Sequence, residues 1–204
     1  MNPVFVVLRM NIQSVLMKSK KEIILATTLE LLTKQGFHAS PVSQISREAG
    51  VAAGTIYHYF QDKNELIRAV YKDVKKQMGQ AMMNGFDKNN TIRDQFFVYW
   101  KNLYQYFVQH PLQFAFLEQY HHSTFINQET QKESKHYYQP VLDFFEAGMN
   151  QKVFKDMGLS LVSELVYGNI ATTARLVLNE EISLTARQLD EVVEASWDSI
   201  KQEK

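Results

Sequence analysis

The sequence contains no cysteine, which excludes a disulfide framework, a thiolate metal site and a cysteine nucleophile. Proline and glycine are scarce, at 4 and 8 residues in 204, and so few chain breakers favour long helices over many short strands. No apolar run is long enough to span a bilayer. The longest near the start, Val4 to Leu8, is broken by Arg9. The opening MNPVFVVLRMNIQSVLM lacks a basic first stretch and a small-residue cleavage site, so it is a poor secretion signal. The protein is therefore expected to be cytoplasmic. Met10 and Met17 are alternative starts, and residues 1–17 are expected to be an extension or a mis-assigned translation start.

Net charge is also absent, but the balance is local. Residues 1–78 hold 11 Lys and Arg against 6 Asp and Glu, and residues 79–204 hold 11 against 16. A basic front and an acidic back suggest that one end meets a polyanion. Apolar residues make up 45% of the chain, enough for a real core.

Helical periodicity runs through the sequence, and no segment alternates with period two. Ser19 to Gln35 carries an apolar face ended by Gly36, as a glycine after a helix does. Pro41 to Ala49 and Ala52 to Phe60 read as two short helices around Gly50. Asp62, with Glu65 three residues on, has the pattern of a capping box opening a long helix from Lys63 to about Met83. Asn84 to Asn90 reads as a linker. Thr91 caps a helix whose stripe is Ile92, Phe96, Trp100, Leu103 and Phe107. His110-Pro111 breaks it. Leu112–His121, Glu129–Met149, Leu159–Leu178 and a last helix capped by Thr185 complete the set. The expectation is an all-α protein of about nine helices. Its expected boundaries are 1–17 for the extension, 18–78 for a first, basic domain and 79–204 for a second, acidic one.

Residues 41–66 read PVSQISREAGVAAGTIYHYFQDKNEL. Two short helices either side of a glycine turn, with a third helix following at once, form a helix-turn-helix pattern. Ile45, Ala49, Val51 and Ile56 supply the small core that fixes the angle between the helices. The residues left outside on the second helix are small or polar, which lets a backbone approach the floor of a major groove. Together with Gly36-Phe37, Ser43, Gly54-Thr55-Ile56-Tyr57, Tyr59-Phe60 and Asp62-Lys63, this set resembles the TetR/AcrR family of transcriptional regulators over roughly residues 18–78.

That resemblance implies roles. Ser43 and Gln44 would face DNA from the helix before the turn. Ala53, Gly54 and Thr55 would lie nearest the bases, and Tyr57 and His58 would hydrogen-bond phosphates. Lys63, at a helix start, would pair with a phosphate, as would Lys20 and Lys21. Ala53 offers only a methyl, so reliance on DNA shape is expected. Tyr59 is equally well read as a core residue.

Residues 91–145 hold 15 of the 25 aromatic residues. For any single ring, core packing is the better reading. The collective excess suits an apolar ligand cavity with a few polar groups. The residues expected to line it are Trp100, Tyr104, Phe107, Phe114, Tyr120, Tyr137, Phe144 and Tyr167, and the effector is expected to be a small hydrophobic or aromatic molecule. Leu161, Leu165, Ala171, Ala174, Leu189, Val193 and Trp197, on the last two helices, are expected to form a four-helix dimer interface. Glu118, His121 and His122 make one Glu-x-x-His-His cluster, where di-iron bundles need paired copies, so no metal site is expected. No nucleophile motif, P-loop or dinucleotide fingerprint is present, so neither an enzyme nor a cofactor is implied. The function expected is a ligand-responsive repressor, a homodimer on a palindromic operator. The competing reading is a helical-bundle enzyme, or a metal or small-molecule binding protein, with no DNA role, and the 41–66 segment argues against it.

Overall fold

The computed structural model describes residues 19–121 and 123–203. Among these residues there are ten α-helices, one 3₁₀ turn and no strand. In chain order the helices are α1 Lys20–Gln35, α2 Val42–Glu48, α3 Ala53–Tyr59, α4 Lys63–Met82, α5 Ile92–Gln109, α6 Pro111–Tyr120, α7 Gln128–Ser134, α8 Gln139–Asn150, α9 Leu159–Leu178 and α10 Ala186–Ile200. The extension at 1–17 lies outside the described residues, and so does His122.

Local chemistry accounts for most helix ends. Ser19 and Glu22 form a full capping box on α1, as do Thr185 and Gln188 on α10. Thr91 accepts the Asp94 N–H at the start of α5. Asp62 accepts the Glu65 N–H at 2.7 Å, while the Glu65 carboxylate reaches back one residue further than a capping box requires, to the Gln61 N–H. Gly36 and Gly50 adopt φ of 76° and 65°, a region open to glycine and costly for other residues. The expected helix Glu129–Met149 is instead two helices, with a 3₁₀ turn at Lys135–Tyr137 between them. Pro140 is the physical reason: it has no N–H to give the preceding turn and biases its neighbour away from helix, so it sits in the first turn of a new one.

The chain divides into two compact units. The first takes the chain up to Tyr71 together with Ala115–Ile126, and the second takes Lys72–Phe114 and the chain from Asn127 onward. The division falls inside α4, at Tyr71/Lys72, rather than at the expected boundary after Met78. In the first unit, Ile24, Leu29 and Leu32 of α1, Ile45 of α2, Ile56 of α3 and Leu66, Ile67 and Val70 of α4 form the core. The later segment adds its own rings: Phe125 stacks on Phe37 with centroids 4.1 Å apart, and the Tyr71 hydroxyl hydrogen-bonds His121 Nδ1 at 2.8 Å.

The second unit is built around α5, which packs against α8, α9 and α10. Phe96, Phe145, Phe154 and Trp197 meet mostly edge to face, the arrangement that ring quadrupoles favour. Two glycines allow close approach. A Cβ on Gly79 would overlap the Tyr137 carbonyl, whose carbon would lie 2.8 Å away, and one on Gly148 would overlap the Phe154 ring.

Candidate nucleic-acid interface and effector region

The first unit holds α2 and α3 at an angle fixed by a few apolar contacts. Ile45 and Ile56 are buried and Ala49 nearly so. The Val51 N–H donates to the Ser46 carbonyl at 3.0 Å across the Gly50 turn. With Ile56 turned inward, the opposite side of α3 is left bare: Ala53, Gly54, Tyr57 and His58 are exposed and Thr55 is half-buried. Tyr57 is 55% exposed, far beyond what core packing would leave. Tyr59 is also exposed, so its core reading does not hold. Nothing lies within 4 Å of where a Gly54 Cβ would be. The helix therefore presents a smooth, nearly side-chain-free start, flanked by groups that can hydrogen-bond.

The neighbouring residues divide. Lys20, Lys21 and Ser43 are exposed, and the Lys21 ammonium lies 5.8 Å from the Phe60 ring centroid. Gln44 is half-buried and occupied: its carbonyl oxygen accepts from Gln35 at 3.0 Å and its amide donates to Glu48 at 2.8 Å. Lys63 does not extend outward as the sequence suggested. Its ammonium donates to the Phe37 carbonyl and sits 3.9 Å above the Phe37 ring centroid. Burial holds its pKa below the ordinary lysine value. Cation–π attraction and the Phe37 carbonyl, which also accepts the Ser40 N–H at 3.3 Å, account for the inward pose.

In the second unit, Trp100 and Phe107 are fully buried and Tyr104, Phe114 and Phe144 nearly so, while Tyr137 and Tyr167 are partly open. Trp100 stacks on Tyr104 at 5.6 Å, and Phe107 meets Phe114 at 4.5 Å and Tyr167 at 5.8 Å. The Trp100 indole Nε1 is buried with no hydrogen-bond partner, an uncommon state for a buried donor. Tyr120 falls in the first unit, its ring between Phe116 at 4.7 Å and Phe125 at 6.2 Å.

Sequence reasoning missed a polar group here. Lys75 falls on the buried stripe of α4 formed by Tyr71, Val74, Met78 and Met82, and is only 7% exposed. A charge placed inside a helical apolar stripe was the available signal. Its ammonium lies 5.0 Å from the Tyr138 ring centroid, and burial lowers its pKa to about 8 against the opposing field of Glu164. Tyr99 and Tyr138 are pushed above the ordinary tyrosine value, first by burial and then by nearby charge that includes Glu164.

Of the residues expected at a dimer interface, Ala171, Ala174, Val193 and Trp197 are buried within the chain itself. They complete the core and have almost no surface left to lose to a partner. Leu161 and Leu165 stand out at 51% and 46% exposed, with Leu189 partly open. The His121 imidazole is engaged by Tyr71. Among the described residues no three His, Asp or Glu side chains gather as a metal site would require, and no helix is long and apolar enough to cross a membrane.

Comparison with known proteins accords with this geometry. Residues 24–70 match the model described as bacterial regulatory proteins, tetR family, and residues 91–201 match the tetracyclin repressor-like C-terminal domain. The chain is similar to the HTH-type transcriptional regulator BetI of Escherichia coli, 44% identical over 57 residues. That match covers 28% of this chain and 29% of the relative. A solved TetR-family structure from Vibrio parahaemolyticus is 27% identical with a TM-score of 0.79, covering 91% of this chain and 100% of that one. Another from Shewanella sp. PV-4 shares the fold at 23% identity and a TM-score of 0.83, with the same coverage. These relatives are regulators rather than enzymes, and the chain belongs to the TetR family of bacterial transcriptional regulators.

Proposed function

We propose that the protein is a ligand-responsive repressor that binds a palindromic operator as a homodimer and leaves it when a small hydrophobic or aromatic effector fills the second unit. The observation that carries the reading is the exposed start of α3, where Ala53 and Gly54 leave the backbone bare beside exposed Tyr57 and His58. A surface of this kind has little use except to approach another backbone or a groove closely. Ser43, Lys20 and Lys21 flank it as positioning groups for phosphates. Thr55 and Gln44 stand nearer the interior and would contribute partial contacts.

A twofold partner would dock on Leu161, Leu165 and Leu189, placing two α3 helices in successive major grooves about 34–36 Å apart. Effector and operator would then weaken each other by one common factor, because a ligand shifts a conformational balance only through differential affinity. Selection of genomic fragments by the full chain tests the reading. Enrichment of a sequence with twofold symmetry and half-sites one helical turn apart is expected. Recovery of fragments with no shared motif would overturn it.

A further inference from the structure

The most unusual group in the second unit is the buried lysine. Lys75 of α4 is 7% exposed, and lysine is almost never buried without a stabilising surrounding. One carboxylate links it electrostatically to tyrosines on two other elements. Glu164 of α9 acts on Lys75, on Tyr99 of α5 and on Tyr138 at the start of α8. The Tyr138 ring covers the ammonium at 5.0 Å. Tyr167, one turn along α9 from Glu164, is close enough to act on Tyr99. A buried charge of this sort contributes little to stability compared with an apolar side chain of the same volume, so a packing role alone is a poor account of it.

We propose that this cluster is the polar end of the effector site and that the effector is an amphipathic organic anion, its acid group held by the Lys75 ammonium and the tyrosine hydroxyls. The inference rests on the sensor reading given under the proposed function. Three features fix the class. Lys75 repels cations and gives charge-assisted hydrogen bonds to an acid. The tyrosines keep their protons, since burial and the field of Glu164 oppose ionisation, so their hydroxyls remain donors. Behind the hydroxyls the rings continue as apolar surface: Tyr99 meets Phe145 at 5.6 Å, and Tyr167 meets Phe107 at 5.8 Å. Glu164 is exposed and supplies negative charge toward Lys75 without a ligand. It is a stand-in that an incoming acid group displaces.

Two probes with the same ring system separate charge from shape: 8-anilinonaphthalene-1-sulfonate, an anion, and N-phenyl-1-naphthylamine, which lacks the acid. With the full chain at neutral pH, one sulfonate probe per protomer is expected. Lys75→Met should weaken it at least about tenfold, the size of one charge-assisted bond, and leave the neutral probe within about twofold. Lys75→Arg should retain sulfonate binding, and Glu164→Gln should tighten it, because the competing carboxylate is gone. Raising the pH through about 8 should weaken the sulfonate probe in the unsubstituted protein. The other ionisable groups beside Lys75 are Tyr138, which burial holds above the ordinary tyrosine value, and Glu164. If both probes bind and no substitution separates them, the anion preference is overturned while the aromatic sensor survives. If neither probe binds, both readings fall. Should Lys75→Met not fold, the sign of the Glu164→Gln effect decides, and unchanged sulfonate affinity there overturns the proposal.

Discussion

Gly54→Ala should push folding stability and DNA affinity in opposite directions. Gly54 lies in the first turn of α3, Ala53–Tyr59, with no positive φ and nothing within 4 Å of an added Cβ. The methyl therefore meets no clash, restricts the unfolded chain and improves helix propensity. Glycine costs about 0.5–1 kcal/mol relative to alanine inside a helix. At an N-terminal position the gain should be about half a kcal/mol, so the urea midpoint should rise slightly at constant m-value. On DNA the same methyl occupies the space through which the backbone would approach the groove. Overpacking a close contact by one methyl costs roughly 1–3 kcal/mol, and about 1.4 kcal/mol is a factor of ten in affinity. Fluorescence anisotropy on a selected operator fragment should therefore show a loss of about tenfold or more, in a protein that is no less stable. Unchanged or tighter operator binding would refute the reasoning, because the start of α3 would then not be the closest point to DNA. A loss of stability would instead reveal a contact that the isolated chain does not make.

Lys63→Ala should cost roughly 1 kcal/mol of stability through the lost Phe37 contacts, and should leave the salt dependence of operator binding nearly unchanged. A fall of about one in the slope of log affinity against log salt would show that Lys63 leaves Phe37 to hold a phosphate. Leu165→Arg places a charge on the exposed apolar face of α9, and sedimentation should find a monomer where the unsubstituted chain is dimeric; a persistent dimer would place the interface elsewhere. Lys75 makes stability depend on pH with a definite sign. Its folded pKa of about 8 lies below the ordinary 10.5, so between these values the unfolded chain holds a proton that the folded chain has released, and stability rises with pH. Urea titrations at stepped pH should show the unsubstituted protein gaining on Lys75→Met across that window. A constant gap would mean that Lys75 is not desolvated.

The helical architecture was legible because its signals are local. Thr91 and Thr185 cap where the pattern places them, and Gly36 and Gly50 turn the chain where a glycine is needed. The bare start of α3 was legible for the same reason, since burying Ile56 dictates which side of a short helix stays outside. Pro140 is a local signal too, and the single helix expected over Glu129–Met149 runs straight across it. What escaped was non-local. No periodicity says that Phe37 stacks on a ring from Phe125, or that Lys63 turns back onto Phe37 instead of outward. Tyr59 was ambiguous because aromatic residues satisfy both a core and a phosphate-facing pattern. Ala174 and Val193 looked like interface residues because small and branched side chains suit any close helix packing, and the chain's own core claimed them first.

The first unit is discontinuous in sequence, since Ala115–Ile126 completes a body begun before Tyr71. Hybrid regulators are commonly imagined as a DNA-reading head cut from one protein and joined to the sensor of another. Here a cut after Met78 would take Phe37 away from Phe125 and the Tyr71 hydroxyl away from the His121 imidazole. The lost hydrogen bond is worth about 1 kcal/mol and the lost aromatic pair about 1 kcal/mol more, a serious fraction of a small domain's stability. A transplantable head must therefore carry both stretches, or be refitted with Tyr71→Phe and a polar replacement for Phe37. Modularity at the level of family domains does not coincide with modularity at the level of the folded core.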